Sequence, residues 1–95
     1  MKTTRALLLL AAVACLVTPA LAQNRAAKPL TIYVVDVEGG NGVLFVSPTG
    51  ESLLMDTGNA NAAAARDAGR IMEAVRDAGL TQIDNLIITH WHGDH

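Results

Sequence analysis

An α/β domain is predicted, on three observations. Short runs rich in β-branched residues lie between Thr31 and Asp56, separated by tight glycine turns. One amphipathic helix follows over Ala60–Ala78. A further apolar strand, Leu86–Thr89, then runs straight into His90-Trp91-His92-Gly93-Asp94-His95, where three imidazoles and a carboxylate crowd together.

Residues 1–22 read as a secretory signal peptide. Lys2 and Arg5 form the positive start, and Ala6 to Val17 is an apolar run interrupted only by Cys15. Pro19 breaks the run, and Ala20-Leu21-Ala22 is an A-x-A cleavage site. The run is too short for a stable membrane span, which needs roughly 20 apolar residues. Val13-Ala14-Cys15 partly fits a lipoprotein signal. Against that, Ala12 stands where Leu is wanted, and Leu16 and Val17 continue the apolar run. Ordinary cleavage after Ala22 is the favoured reading, with export to the periplasm or medium. It would leave a chain with no Cys, so no disulfide staples it.

Residues 23–29 form a polar, Ala-rich linker, and 30–95 are the domain. Thr31–Val37 is the first strand, and Glu38-Gly39-Gly40-Asn41-Gly42 a turn. Val43–Ser47 is the second strand, Pro48-Thr49-Gly50 a tight turn, and Glu51–Asp56 the third strand. Two short connections imply an antiparallel meander. The apolar runs are nearly continuous, which predicts a sheet covered on both faces. Asn59 or Asn61 is placed to cap the helix. Ala64, Ala68, Ile71, Val75 and Ala78 make its apolar stripe. Arg66, Asp67, Arg70, Glu73, Arg76 and Asp77 read as a solvated surface. Gly69 costs about 1 kcal/mol relative to alanine in a helix interior unless close packing on the sheet offsets it, which the sequence does not show. Gly79 is expected to end the helix.

Beyond the signal, Arg25, Lys28, Arg66, Arg70 and Arg76 face all nine acidic residues. That balance lacks the basic footprint of a nucleic-acid binder. One Trp, one Tyr and one Phe offer little aromatic material for a core. A domain this small buries only about 60% of its unfolded surface. The reading is therefore the opening portion of something larger.

The spacing of the terminal cluster has a coordination rationale. In an extended backbone His90 and His92 point to the same side and can share one metal. A turn at Gly93 can aim Asp94 and His95 at a second. Imidazole and carboxylate suit Zn²⁺, and also Fe or Mn. Two ions about 3.5–4 Å apart can hold a bridging water and support hydrolysis. Three His and one Asp cannot saturate two ions, so further ligands are expected beyond His95. Asp56, at a strand end, can accept turn amides, ligate directly, or orient a ligand His from behind. Asp36 either faces the same cleft or partners a neighbouring turn. Trp91 either walls the pocket or fills the core, and Thr89 is expected to hydrogen-bond locally.

Thr89-His90-Trp91-His92-Gly93-Asp94-His95 resembles the T-H-x-H-x-D-H signature of the metallo-β-lactamase superfamily. Met55-Asp56-Thr57-Gly58 resembles that family's upstream Asp motif. Tyr33-Val34-Val35-Asp36-Val37 is similar to the opening of the branch containing ComEC-type competence hydrolase domains. That branch usually continues Gly-Gln-Gly-Asp, where this chain has Glu38-Gly39-Gly40-Asn41. The resemblance implies the N-terminal part of an αββα sandwich, incomplete here, with a dinuclear zinc site. It implies His90 and His92 on one metal, Asp94 and His95 on the other, and Asp94 as the catalytic residue handling the hydroxide proton. Asp56 would then stand behind the ligands.

The function expected is an exported hydrolase using a zinc-bound hydroxide on an ester, amide, lactone or phosphodiester. Its substrate is expected to be a small molecule or a phosphodiester. Iron redox chemistry, as in some relatives, and a non-enzymatic metal-binding or remnant protein are the alternatives. For these residues alone, inactivity is the expectation. Substrate, oligomeric state and metal identity are not readable from the sequence.

Overall fold

The computed structural model describes residues 27–95. The signal peptide, the lipoprotein alternative at Cys15 and most of the linker lie outside the described residues. Four strands form one sheet: β1 Thr31–Val34, β2 Val43–Val46, β3 Ser52–Met55 and β4 Asn85–Ile87, in the order β1-β2-β3-β4. The first three make the predicted antiparallel meander. β4 joins β3 in parallel, with Leu54 opposite Leu86, after a crossover through the helix α1, Ala64–Asp77. A short 3₁₀ turn, Asn61–Ala63, precedes α1. The result is a mixed α/β arrangement of four strands and one helix.

β1 is shorter than predicted. After Val34 the ladder continues only through the Val35 N–H to the Gly42 carbonyl, at 2.9 Å. Glu38 then takes a positive φ of 52°, which no strand accommodates. At the other side of the sheet, buried Ser52 ties β3 to the residue before β4. Its N–H and hydroxyl both donate to Asp84 Oδ2, at 2.8 and 2.9 Å. Gln82 and these Ser52 donors hold the Asp84 carboxyl below its ordinary range.

The core lies between one sheet face and α1. Leu44, Leu54, Ile71 and Val75 are buried, with Tyr33, Val35, Val46, Ala74, Leu80 and Ile83 packed around them. The alternate residues point the other way. The row Val34, Val43, Met55 and Ile87 leaves Val34 82% exposed and Ile87 46% exposed. Ile32, in the neighbouring row with Phe45 and Leu53, is 52% exposed. Among the described residues the sheet is thus covered on one face, not both as the continuous apolar runs predicted.

The helix corrects three expectations. Neither Asn59 nor Asn61 caps it; the N-cap residues are Ala60 for the 3₁₀ turn and Ala63 for α1, and neither has a side-chain cap bond. Asp67 is fully buried, whereas Ala64 and Ala68 of the predicted stripe are exposed. Asp67, Ile71 and Val75 follow at intervals of four and so share one face. The C-terminus ends as predicted. Gly79, at φ 71°, donates to the Arg76 carbonyl and Leu80 N–H donates to that of Val75, at 2.9 and 3.0 Å. This is a Schellman cap.

Gly69 packs against nothing: a methyl group there would meet no atom within 4 Å. A mid-helix glycine costs about 0.5–1 kcal/mol relative to alanine. Gly69→Ala should therefore raise the unfolding free energy by about that amount, seen as a later urea midpoint with an unchanged slope. A destabilised variant would refute the open surroundings of this position.

Candidate metal centre

β3 delivers Asp56 to its end, and the pairing with β4 fixes where it stands. The Asp56 N–H donates to the Ile87 carbonyl at 2.8 Å, extending the ladder by one residue. Its φ of 60° turns the chain off the sheet, and the side chain is 0% exposed. Oδ1 accepts from the Thr89 N–H at 2.7 Å. Oδ2 accepts from Asn41 Nδ2 and Thr89 Oγ1, each at 2.8 Å, and from His95 Nδ1 at 3.0 Å. Burial alone would raise the Asp56 pKa, but these donors outweigh it and hold the carboxyl well below its ordinary range. The group is an ionised acceptor.

That acceptor sets the tautomers around it. A carboxylate only accepts, so the neutral His95 ring carries its proton on Nδ1 and keeps a lone pair on Nε2. The Thr89 hydroxyl spends its one proton on Asp56, so its 3.1 Å contact with His90 Nδ1 makes that nitrogen the donor. His90 therefore also keeps its lone pair on Nε2. Thr89 bonds locally to His90, as expected from the sequence, and also bridges to Asp56, 33 residues away.

The backbone of the cluster is held by neighbouring loops. Asn41 N–H donates to the Asp94 carbonyl at 2.9 Å and Ala60 N–H to that of Gly93 at 2.6 Å. The N–H and hydroxyl of Thr57 both donate to the His95 carbonyl at 3.0 Å. The His90 ring centre lies 4.6 Å from that of His92 and 4.0 Å from that of His95. The His90 ring thus lies beside both of the other imidazoles. Asp94 Oδ1 lies 3.7 Å from His95 Nε2. An open cavity of about 310 Å³ adjoins the cluster, lined by His92 and His95 on one side and Asn59, Ala60 and Ala64 on the other.

A second buried carboxylate steadies the turn after Asp56. Asp67 accepts from the Asn59 N–H at 2.7 Å, Asn59 Nδ2 at 3.0 Å and Arg66 Nε at 2.7 Å. Arg66, then the Asn59 N–H, hold its carboxyl well below the ordinary range against the opposing effect of burial. Asn59 Nδ2 also donates to the Val37 carbonyl. Arg66 and Arg70 both reach Glu38, and Arg70 donates to the Asp36 carbonyl at 2.6 Å. These arginines are clamps on the 36–38 segment, where the helix pattern suggested only a solvated face. The signal for Asp67 was present in its spacing of four from Ile71; nothing in sequence marked the partners of Arg66 and Arg70.

Two further expectations are decided. Asp36 partners its own turn, accepting from the Glu38 N–H at 3.2 Å, and pairs with Arg70. Trp91 is 94% exposed, so it fills no core.

The donor set of three imidazoles and one carboxylate fits zinc in its chemistry. As the side chains stand, no three His, Cys, Asp or Glu among the described residues are arranged to hold an ion. No helix among the described residues is long and apolar enough to cross a membrane.

No curated protein and no solved structure matches the chain. The family model described as the metallo-beta-lactamase superfamily matches residues 35–95, from the end of the β1 segment through the last histidine. Since that span takes in both the Asp56 turn and the histidine cluster it supports, the chain belongs to the metallo-beta-lactamase superfamily.

Proposed function

We propose that this chain provides the histidine-rich metal centre of an exported zinc-dependent hydrolase. The superfamily consists mostly of hydrolytic enzymes and typically binds zinc. The observation that carries the reading is the Asp56–Thr89 arrangement, which leaves the Nε2 lone pairs of both His90 and His95 free. A carboxylate behind an imidazole fixes its tautomer and raises its basicity as a ligand. His90, His92, Asp94 and His95 would hold the metal, with two ions per complete site. Zinc, when bound, supplies Lewis acidity and activates water for attack. Asp94, half-exposed beside His95, would handle the proton of the attacking water. Asp56 acts only through His95 and Thr89.

Export rests on the Lys2–Ala22 signal pattern. The Tyr33–Val37 opening, similar to the ComEC-type branch, favours a phosphodiester among the candidate bonds. The second reading is a non-enzymatic metal binder or a remnant.

The test is to purify the full gene product, measure bound metal by mass spectrometry, and assay lactones, β-lactams, thioesters and phosphodiesters. Stoichiometric zinc with turnover of a phosphodiester is the expected result. Zinc without turnover of any class would favour the second reading, and stoichiometric iron would replace the zinc assignment. Protein that holds no transition metal under any condition overturns the hydrolase and the metal binder and leaves the remnant.

A further inference from the structure

Asn41 sits in the connection between β1 and β2, far in sequence from the histidines, yet it bonds to Asp56, to the turn after it at Gly58, and to the main chain of Asp94. Its side-chain amide donates to Asp56 Oδ2 at 2.8 Å. Its N–H donates to the Asp94 carbonyl, and its own carbonyl accepts from the Gly58 N–H, both at 2.9 Å. The loop presses closely on the cluster: a methyl group on Gly40 would collide with the Asp94 carbonyl oxygen and stand 3.3 Å from Asn59 Nδ2. Asp56 Oδ2 takes three donors in all, from Asn41, Thr89 and His95. Of these three side chains, that of Asn41 alone bonds neither a histidine ring nor a group that does so, apart from Asp56 itself.

We propose that Asn41 is a positioning residue of the metal centre: it fixes the Asp56 carboxylate and the Asp94 main chain together, and so sets the orientation of His95. The inference rests on the reading of the cluster as a metal centre for its consequence, but not for its geometry. Without the amide, Oδ2 keeps two donors and Oδ1 one, and the carboxylate loses its tie to the β1–β2 connection. His95 then faces a less firmly held acceptor for its Nδ1 proton. The main-chain bonds of Asn41 survive substitution, so the loop itself has a reason to stay in place.

The test uses the full gene product and its Asn41→Ala variant, with far-UV circular dichroism as the check on folding. In the metal-free proteins, long-range ¹H–¹⁵N spectra report the His95 tautomer. The unsubstituted protein should show a protonated Nδ1 and an unprotonated Nε2, and Asn41→Ala should move the two signals towards each other as the tautomers mix. Zinc affinity, read by competition with a chromophoric chelator, should fall about tenfold, the lower end for groups supporting a metal ligand. Unchanged His95 signals overturn the proposal, as does zinc affinity within roughly twofold of the unsubstituted protein, well short of the losses such groups produce. If no form binds zinc while the His95 signals still move, the metal-centre reading falls and the positioning role stands. Should Asn41→Ala not fold, the unsubstituted protein decides. An Asn41 side-chain amide proton protected from exchange, with a cross-peak to Thr89, supports the proposal; a freely exchanging one overturns it.

Discussion

Replacing Asp56 with alanine is expected to lower the zinc affinity of the full gene product by about 100-fold, the upper end for a group supporting a metal ligand. Its carboxylate is the shared acceptor for Asn41, Thr89 and His95, and Oδ1 holds the Thr89 main chain as well. Alanine leaves those donors, Asn41 and His95 half-buried among them, without their shared acceptor, so some loss of stability accompanies the loss of affinity. Asp56→Asn separates the two effects. The amide fills nearly the same space, but one of its ends can only donate. With its oxygen at the Oδ2 position it still accepts from Asn41, Thr89 Oγ1 and His95 Nδ1, and its NH2 opposes only the Thr89 N–H. Turned the other way it would set a donor against the Asn41 amide and the His95 ring together. Asp56→Asn should therefore fold with a near-normal circular dichroism spectrum, keep the Nε2 lone pair of His95, and bind zinc more tightly than the alanine variant, though less tightly than the unsubstituted protein. Chelator competition on both variants checks this, and affinity in Asp56→Asn as low as in Asp56→Ala would refute the tautomer argument.

The parts of the fold that follow from local chemistry were legible in the chain. Val43–Val46 is β-branched and aromatic and sits between two glycine turns, so its strand and its antiparallel partner needed no tertiary knowledge. Gly79 marked the helix end because the Schellman cap requires a left-handed residue there. The histidine cluster was legible as metal chemistry because few other pressures place such ligands so close together. What was not legible depends on contacts made across the fold. The Thr89–Asp56 bridge joins residues that no periodicity links. β1 stops short because Glu38 turns into the left-handed region, although Val35 and Val37 suit a strand. By residue type Trp91 suited either a pocket wall or the core, and it lies on the ligand loop in solvent. Asp67 is the instructive case: its charge argued for a surface position while its spacing from Ile71 and Val75 argued for burial, and burial won. It won because Arg66 and Asn59 supply enough donors to keep a carboxylate ionised out of water.

That burial makes the turn next to the metal centre sensitive to acid. The Asp67 pKa is depressed in the folded chain, first by the Arg66 hydrogen bond and then by the Asn59 N–H. A depressed carboxyl contributes stability that is fully present above its unfolded value, about 3.9, and is lost as pH falls through the folded value. Below pH 4 or so the unfolded chain takes up a proton that the folded chain resists. Asp67→Asn keeps the shape but cannot ionise, and it leaves Arg66 Nε without its anionic partner. The variant should be clearly less stable than the unsubstituted protein at neutral pH, with the gap narrowing steadily as the solution is acidified below the ordinary carboxylate range. Asp56 and Asp84 are depressed too, so both proteins should still lose stability in acid, the variant with the shallower slope. Urea midpoints at a series of pH values measure the difference directly. Parallel curves for the two proteins would mean that Asp67 does not titrate with folding. The gap at neutral pH also reports on the centre itself, because the Asn59 turn that Asp67 holds carries Ala60, whose N–H fixes Gly93 between the second histidine and the last.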